Sequence, residues 1–145
     1  MVRLKVNEFD VEVPEGATIL AAAKAAEIRI PTLCKHPDLD PTAACGICVV
    51  KVAGLPNMVR ACSTPVEEGM QVQTHDPEIV RVRRTLLELI LSAHPNECLT
   101  CGRHGSCELQ ELAKDFGIRE ASLPRVWREL PRDDSTGCIT LDLRN

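Results

Sequence analysis

Cysteines are the residues of this 145-residue chain whose spacing most clearly indicates chemistry. Four of the eight follow the pattern C-x10-C-x2-C-x13-C and are Cys34, Cys45, Cys48 and Cys62. Structural zinc sites are usually built from two close ligand pairs, whereas only Cys45 and Cys48 are close here. Gly46 between them tolerates a positive φ and brings no Cβ, which suits a tight turn around a metal. The pattern favours an iron–sulfur cluster held by a long loop and the end of a later strand.

A second group of candidate ligands lies within the stretch HPNECLTCGRHGSC. Its members follow the spacing H-x3-C-x2-C-x5-C and are His94, Cys98, Cys101 and Cys107. Three thiolates and one imidazole are also the ligands of a Cys3His zinc site, so these residues alone leave zinc and an iron–sulfur cluster open. A disulfide is less favoured, because the cytoplasm would reduce it. A redox dithiol at Cys98 and Cys101 is less favoured, because its βαβ context is missing. His104, inside the same stretch, is the competing imidazole.

Composition and charge limit the classes of function. The formal net charge is −4, whereas nucleic-acid binding requires a basic face. The one dense basic run, Arg81, Arg83 and Arg84, is expected to be a solvated helix face, with a partner-docking patch as the alternative. No apolar stretch reaches the length of a membrane span, and the alternating start MVRLKVNEFDVEV is no signal peptide. The cysteines are therefore expected to bind metal in a reducing cytoplasm.

Strands and one short helix are predicted to position the first cysteine group. Residues 2–6 and 9–13 alternate with a period of two, which indicates a β-hairpin turning at Asn7-Glu8. Thr18 is a plausible N-cap for a helix through ILAAAKAAE. Further strands at residues 47–52 and 70–74 complete a small α+β sheet domain.

Two helices are predicted around the second group. Asp76 caps a helix that has Pro77 in its first turn and runs to about residue 93. Since Pro95 disfavours helix at the preceding residue, His94 should lie at the helix exit. A second helix is predicted over residues 106–117, which would place Cys107 in its first turn, where the helix dipole favours a thiolate.

The predicted organisation is thus a sheet domain, a small helical module and a tail. Their bounds are residues 1–76, 77–120 and 121–145. Within the tail, ITLDLR at residues 139–144 alternates like one more strand. Cys138 has no cysteine or histidine near it in sequence, and we expect it to be a free thiol.

Both groups of ligands lie in a chain that resembles a known family. The hairpin, helix and loop before Cys34, with the first spacing, are similar to the ferredoxin-type β-grasp domain of FeFe hydrogenases, NAD-linked formate dehydrogenase subunits, NAD-reducing hydrogenase subunits and the large iron–sulfur subunit of complex I. The resemblance continues through H-x3-C-x2-C-x5-C. It implies that a 2Fe–2S cluster is held by Cys34, Cys45, Cys48 and Cys62. It also implies that a 4Fe–4S cluster is held by His94, Cys98, Cys101 and Cys107.

The function implied by the resemblance is electron transfer. We expect an iron–sulfur subunit or domain that relays single electrons between a flavin or ferredoxin partner and a catalytic oxidoreductase subunit, within a hetero-oligomer. The catalytic subunit would be of the hydrogenase, formate dehydrogenase or NADH dehydrogenase type. No dinucleotide fingerprint, P-loop or defensible nucleophile–base set occurs, so no catalytic residue is predicted. The alternatives are the N-terminal part of a complete FeFe hydrogenase or formate dehydrogenase, and a zinc-binding structural module.

Overall fold

In its described residues, the chain forms a five-stranded mixed sheet with one short helix, followed by two further helices. A computed structural model describes residues 1–95, 97–120, 122–124 and 133–140. The regular elements in the described residues are β1 (Val2–Val6), β2 (Phe9–Val13), α1 (Ile19–Ala25), β3 (Val49–Val52), β4 (Val59–Arg60), β5 (Gln71–Gln73), α2 (Pro77–Ser92) and α3 (Glu108–Asp115).

The strand order is β2-β1-β5-β3-β4. β1 pairs with β5 in parallel, and the other neighbouring pairs are antiparallel. A parallel pair needs a crossover connection, and α1 lies in the segment that connects β1 to β5. Inward-facing residues of the sheet, including Leu4, Val50 and Val72, pack with Ile19 and Ala22 of α1 in one apolar core. The predicted α+β class is confirmed.

The first hairpin turns where the alternation predicts. Val6 pairs with Phe9, so Asn7 and Glu8 form the turn. Asn7 has a φ of 57°, a left-handed conformation that asparagine tolerates well. Its side-chain Nδ2 donates to Thr74 Oγ1 at 2.9 Å, and its Oδ1 accepts from the Thr74 N–H at 2.9 Å. The hairpin turn is therefore tied to the end of β5.

Helix α1 begins at the predicted N-cap, and its first residues form hydrogen bonds with the backbone around Cys62. Thr18 Oγ1 accepts from the Ala21 N–H at 3.2 Å, which caps the helix. The N–H groups of Ile19 and Leu20 donate to the carbonyls of Thr64 and Ala61, each at 2.9 Å. Because these carbonyls flank Cys62, the start of α1 fixes the backbone that carries this cysteine.

The two later helices follow the predicted caps, with one difference. Asp76 Oδ1 accepts from the Ile79 N–H at 2.7 Å, which confirms the N-cap of α2. α3 begins at Glu108, two residues later than expected. Cys107 is its N-cap, with extended backbone at φ −100°, and does not lie in the first helical turn. Gly117 follows the helix with a φ of 66°, as a helix-ending glycine should.

A second apolar cluster joins the sheet domain to the helices. Its buried members are Ile47, Leu87, Leu109, Leu112, Ala113 and Ile118. Ile47 is fully buried there, although it belongs to the cysteine loop of the sheet domain. The strand predicted over residues 47–52 therefore begins only at Val49, because Ile47 packs against α2 and α3.

The tail is described only in part. Residues 139 and 140 of the predicted ITLDLR strand have no regular structure, and residues 141–145 lie outside the described residues. The short strand β4 has no counterpart in the sequence prediction, because two residues carry too little periodicity to detect.

Candidate metal centres

The first four cysteines converge where the long loop meets the sheet. Cys48 lies directly before β3 and Cys62 two residues after β4, and each is only 2% exposed. The Ala61 N–H donates to the Cys48 carbonyl at 3.1 Å, which brings the two segments together. Cys34 and Cys45 lie in the loop and are half-buried.

The polypeptide around Cys34 stabilises its thiolate. Burial works to raise the pKa of Cys34, whereas the backbone amide and thiol of Cys45 lower it. The Thr42 side chain and the Ala44 amide add to the lowering, and the pKa falls to about 7. Since the thiolate is the form that binds metal, the loop favours the metal-binding form of Cys34.

Buried Cys48 has the opposite character. Burial raises the pKa of Cys48 to about 11, although the Cys62 backbone works against the rise. The Cys62 and Cys45 thiols contribute to it, because a second negative charge nearby is unfavourable. The Cys48 sulfur therefore interacts with those of Cys45 and Cys62, and the Cys34 sulfur interacts with that of Cys45. Cationic metal among these sulfurs would favour their thiolate forms, so the donors fit an iron–sulfur cluster.

The second group of predicted ligands lines one cavity of about 380 Å³ at the end of α2. The four are His94, Cys98, Cys101 and Cys107. A water molecule occupies about 30 Å³ in the liquid, so this space holds a group of several atoms and not only one ion. The Arg103 N–H donates to Cys101 Sγ at 3.4 Å, the kind of amide–sulfur contact that stabilises a thiolate. The donors and the cavity fit a 4Fe–4S cluster.

Both candidate imidazoles reach this cavity. His94 follows α2, is half-buried, and donates its backbone N–H to the Leu91 carbonyl at 3.2 Å. His104 is exposed and donates its backbone N–H to the Cys101 carbonyl at 3.0 Å. The structure thus brings both histidines to the site, and His94 as the ligand stays a prediction.

The two centres are connected by the second apolar cluster. Cys45 of the first group and Cys107 of the second both pack against it, and Ile47 lies inside it. Polar contacts add to the connection: Lys51 Nζ lies 2.6 Å from carboxylate oxygens of Asp76 and Glu78. The Lys51 ammonium and the Ile79 N–H lower the pKa of Asp76. The start of α2 is therefore held against β3.

Arg83 is a residue of this region that the sequence analysis placed wrongly. It was expected on a solvated helix face, but only 3% of it is exposed. Its Nη2 donates to the Val49 carbonyl at 2.7 Å, one residue after Cys48. A signal was present in the sequence, because Arg83 is four residues from both Ile79 and Leu87 and so shares their buried helix face.

Neither a single-ion site nor a membrane-spanning helix occurs among the described residues. In the described part of the chain, no three His, Cys, Asp or Glu side chains are arranged to hold a single metal ion. In an iron–sulfur cluster the protein ligands are distributed over several iron atoms. Cys138 lies exposed in the tail, away from both groups of cysteines in sequence. None of the helices in the described residues has the length and apolarity needed to cross a membrane.

Comparison with known families decides the identity of the sheet domain. Residues 1–77, more than half of the chain, match the family described as 2Fe-2S iron-sulfur cluster binding domain. This chain belongs to that family. Residues 83–122 match a second family, the NADH-ubiquinone oxidoreductase-G iron-sulfur binding region. The two matches cover the two candidate centres in order, so this 2Fe–2S domain is followed by a 4Fe–4S region.

Similar proteins carry this pair of regions within longer chains. The NADP-reducing hydrogenase subunit HndD of Solidesulfovibrio fructosivorans is 46% identical over 99% of this chain, which covers 25% of that subunit. The NADH-ubiquinone oxidoreductase 75 kDa subunit of Reclinomonas americana is 38% identical over 81% of this chain and 17% of its own length. The chain therefore spans a quarter or less of the length of these curated relatives.

A solved structure agrees with the fold. A chain in the crystal structure of an NAD+-reducing NiFe hydrogenase in the H2-reduced state superposes with a TM-score of 0.83 at 32% identity. The alignment covers 92% of this chain and 56% of that chain. The 2Fe–2S domain and its neighbouring region thus form an iron–sulfur electron-transfer domain that binds one 2Fe–2S and one 4Fe–4S cluster. The resemblance, the fold class and both predicted cofactors are confirmed.

Proposed function

We propose that this domain passes single electrons between a flavin-bearing or ferredoxin partner and a catalytic oxidoreductase subunit. Its 2Fe–2S ligands would be Cys34, Cys45, Cys48 and Cys62. Its 4Fe–4S ligands would be His94, Cys98, Cys101 and Cys107. When bound, such clusters accept and release one electron at a time.

The observation that carries this proposal is the apolar cluster shared by both centres. Ile47 lies between two proposed ligands of the first centre and is fully buried against α2 and α3. Cys45 and Cys107, one proposed ligand from each centre, pack against the same cluster. Since packed interiors are dense and rigid, this contact supports a fixed separation between the centres. A fixed separation between the two centres favours electron transfer from one to the other.

The polypeptide would set the properties of each centre by burial and hydrogen bonding. The buried positions of Cys48 and Cys62 keep water from one side of the first centre. The backbone amides of Ala44 and Cys45 stabilise negative charge on Cys34. Burial and hydrogen bonds to sulfur are the factors by which proteins tune cluster potentials.

We further propose an assembly with several subunits in the cytoplasm. The relatives are named as subunits of an NADP-reducing hydrogenase and of an NADH-ubiquinone oxidoreductase, which supports partners of these types. The domain would work beside an NADH-oxidising flavoprotein and a hydrogenase or dehydrogenase catalytic subunit. Within it, residues 1–76 would carry the first centre, residues 77–120 the second, and residues 121–145 a tail.

A second arrangement is supported by the hydrogenase relative. Nearly the whole chain aligns with one quarter of HndD, so the same relay would also serve inside a longer hydrogenase or formate dehydrogenase polypeptide. The electron route through the two centres is the same in both arrangements. Sequencing the complete reading frame distinguishes them.

Ligand substitution tests the assignment. After anaerobic reconstitution, the wild type should hold about six iron atoms and show two electron paramagnetic resonance (EPR) signals on reduction. Cys48→Ser should remove the 2Fe–2S signal and retain the 4Fe–4S signal, and Cys107→Ser should do the reverse. Cys138→Ser is the matched control and should retain both. Loss of both signals in Cys138→Ser, or of neither in the other two variants, would contradict the ligand assignment.

The relay itself is tested by following electrons in time. A brief pulse of photoreduced deazaflavin that supplies less than one electron per chain should reduce a fraction of each centre. Freeze-quenched EPR of the wild type should then show population moving from one signal to the other. Two signals that change independently would refute a relay while leaving the ligand assignment intact.

The choice of partner is tested with NADH, which should reduce the domain only when an NADH-oxidising flavoprotein subunit is added. If NADH reduces the domain equally fast with and without that subunit, this choice of partner is refuted.

A further inference from the structure

Arg83 is a buried cation whose charge has little compensation within the described protein. Its side chain is 3% exposed, and its Nη2 donates to one neutral acceptor, the Val49 carbonyl. Its Nε is buried and has no hydrogen-bond partner among the described residues. In that same part of the chain, no carboxylate forms an ion pair with Arg83. An isolated buried charge is strongly unfavourable unless something nearby neutralises it.

The surroundings of Arg83 indicate where its counter-charge would be. Val49 follows Cys48 directly, so the bonded guanidinium lies beside a proposed ligand of the first centre. Burial lowers the pKa of Arg83, whereas negative charge on Cys48 favours the charged guanidinium. Neighbouring arginines on α2 are different: Arg81 is exposed, and Arg84 pairs with Glu88 at 3.3 Å. Only one of the three arginines in this run is therefore placed to act on the centre.

We propose that Arg83 is the internal counter-charge of the 2Fe–2S centre and raises its reduction potential. A cluster with four thiolate ligands has a net negative charge, and one added electron makes it more negative. A fixed cation in the low-dielectric interior stabilises the reduced form more than the oxidised form. Arg83 is thus a positioning and tuning residue that acts through the Cys48 side of the site. This inference rests on the proposed ligand set.

The test compares charge removal at buried and exposed positions of the same helix. Arg83→Gln removes the charge but keeps an amide that can donate to the Val49 carbonyl. Arg83→Lys retains the charge, and Arg81→Gln removes an equal charge from the exposed side. The readout is the midpoint potential of the 2Fe–2S EPR signal, from redox titration of the reconstituted full chain. A merely structural role would not shift this potential in a charge-dependent way.

Opposite charges near a buried ionisable group shift its equilibrium by about one to three powers of ten, and an electron shared over a cluster should respond at the lower end. At the wild-type midpoint, Arg83→Gln should therefore lower the ratio of reduced to oxidised cluster about tenfold, which is about 59 mV for one electron. Arg83→Lys and Arg81→Gln should change the ratio less than about twofold, the latter because solvent screens an exposed charge. An unchanged potential in Arg83→Gln would overturn the proposal.

The outcomes separate this inference from the proposed function. If the wild type shows no 2Fe–2S signal, the ligand set fails; if it does and only the potential is insensitive to Arg83, the tuning role alone fails. If Arg83→Gln does not take up a cluster, the Arg83→Lys variant decides whether positive charge at this position is required. A Lys variant that loads with a near-wild-type potential supports the requirement for charge. The proposal is overturned if the Lys variant also fails to take up a cluster, or if its ratio of reduced to oxidised cluster falls tenfold.

Discussion

Replacing Gly46 by alanine should disturb both centres from a single position. Gly46 lies between Cys45 and Ile47 and has a φ of 70°, a conformation that L side chains rarely adopt. A Cβ built there would lie 3.2 Å from Leu86 Cδ1, which is tighter than an ordinary van der Waals contact. Leu86 packs against the apolar cluster that joins the two centres. The substitution therefore combines backbone strain with overpacking.

The expected size follows from these two costs. A non-glycine residue in the left-handed region costs about 1–2 kcal/mol. Overpacking costs about 1–3 kcal/mol, and the lower end applies because the Leu86 methyl group can shift by a few tenths of an ångström. Gly46→Ala should therefore lower the free energy of unfolding by about 2–3 kcal/mol.

Gly54 provides a matched control. Its φ is 84°, but an added Cβ would meet no atom within 4 Å. Gly54→Ala should therefore cost only the backbone term of about 1–2 kcal/mol. Leu86→Ala removes the atom that the new Cβ meets, so a double-mutant cycle between positions 46 and 86 should give a favourable coupling of about 1 kcal/mol.

The assay is anaerobic urea unfolding of the reconstituted protein, followed by far-ultraviolet circular dichroism, with visible absorption to report bound clusters. Gly46→Ala should lose its cluster absorption at lower urea than Gly54→Ala. The reasoning is refuted if the two variants are equally stable, or if the cycle shows no coupling with Leu86. Either result would mean that Gly46 is required only for its backbone conformation.

Two further predictions concern the second centre and the domain contact. His94→Ala should abolish the 4Fe–4S EPR signal and retain the 2Fe–2S signal, whereas His104→Ala should retain both; the reverse result would make His104 the ligand. Lys51 lowers the pKa of Asp76, so this carboxylate contributes stability above its unfolded pKa of about 3.9 and loses it only as the pH falls through the lower folded value. Asp76→Asn should thus lower the urea midpoint by an amount that is constant between pH 6 and pH 8, and a difference that varies in this range would contradict the ionised pair.

The sequence by itself determined the parts of this protein that depend on local interactions. The hairpin at Asn7, the caps at Thr18 and Asp76, and the end of α3 before Gly117 were all predicted, because each depends on residues within a few positions. The two ligand spacings were equally visible, because a cluster constrains the intervals between its cysteines. Together with the resemblance to the ferredoxin-type family that these spacings carry, they predicted the fold class and both cofactors.

Tertiary structure decided what depends on residues far apart in the chain. Ile47 was predicted to lie in a strand, but it packs against helices that begin 30 or more positions later, so the strand begins late. Arg83 reads as part of a solvated basic run, yet the carbonyl of Val49, 34 positions away, holds it inside the protein. His94 and His104 were both visible as candidate ligands, but that they share one cavity follows only from the folded loop. Burial is a property of the assembled surfaces, which is why the charge beside the first centre could be found only in three dimensions.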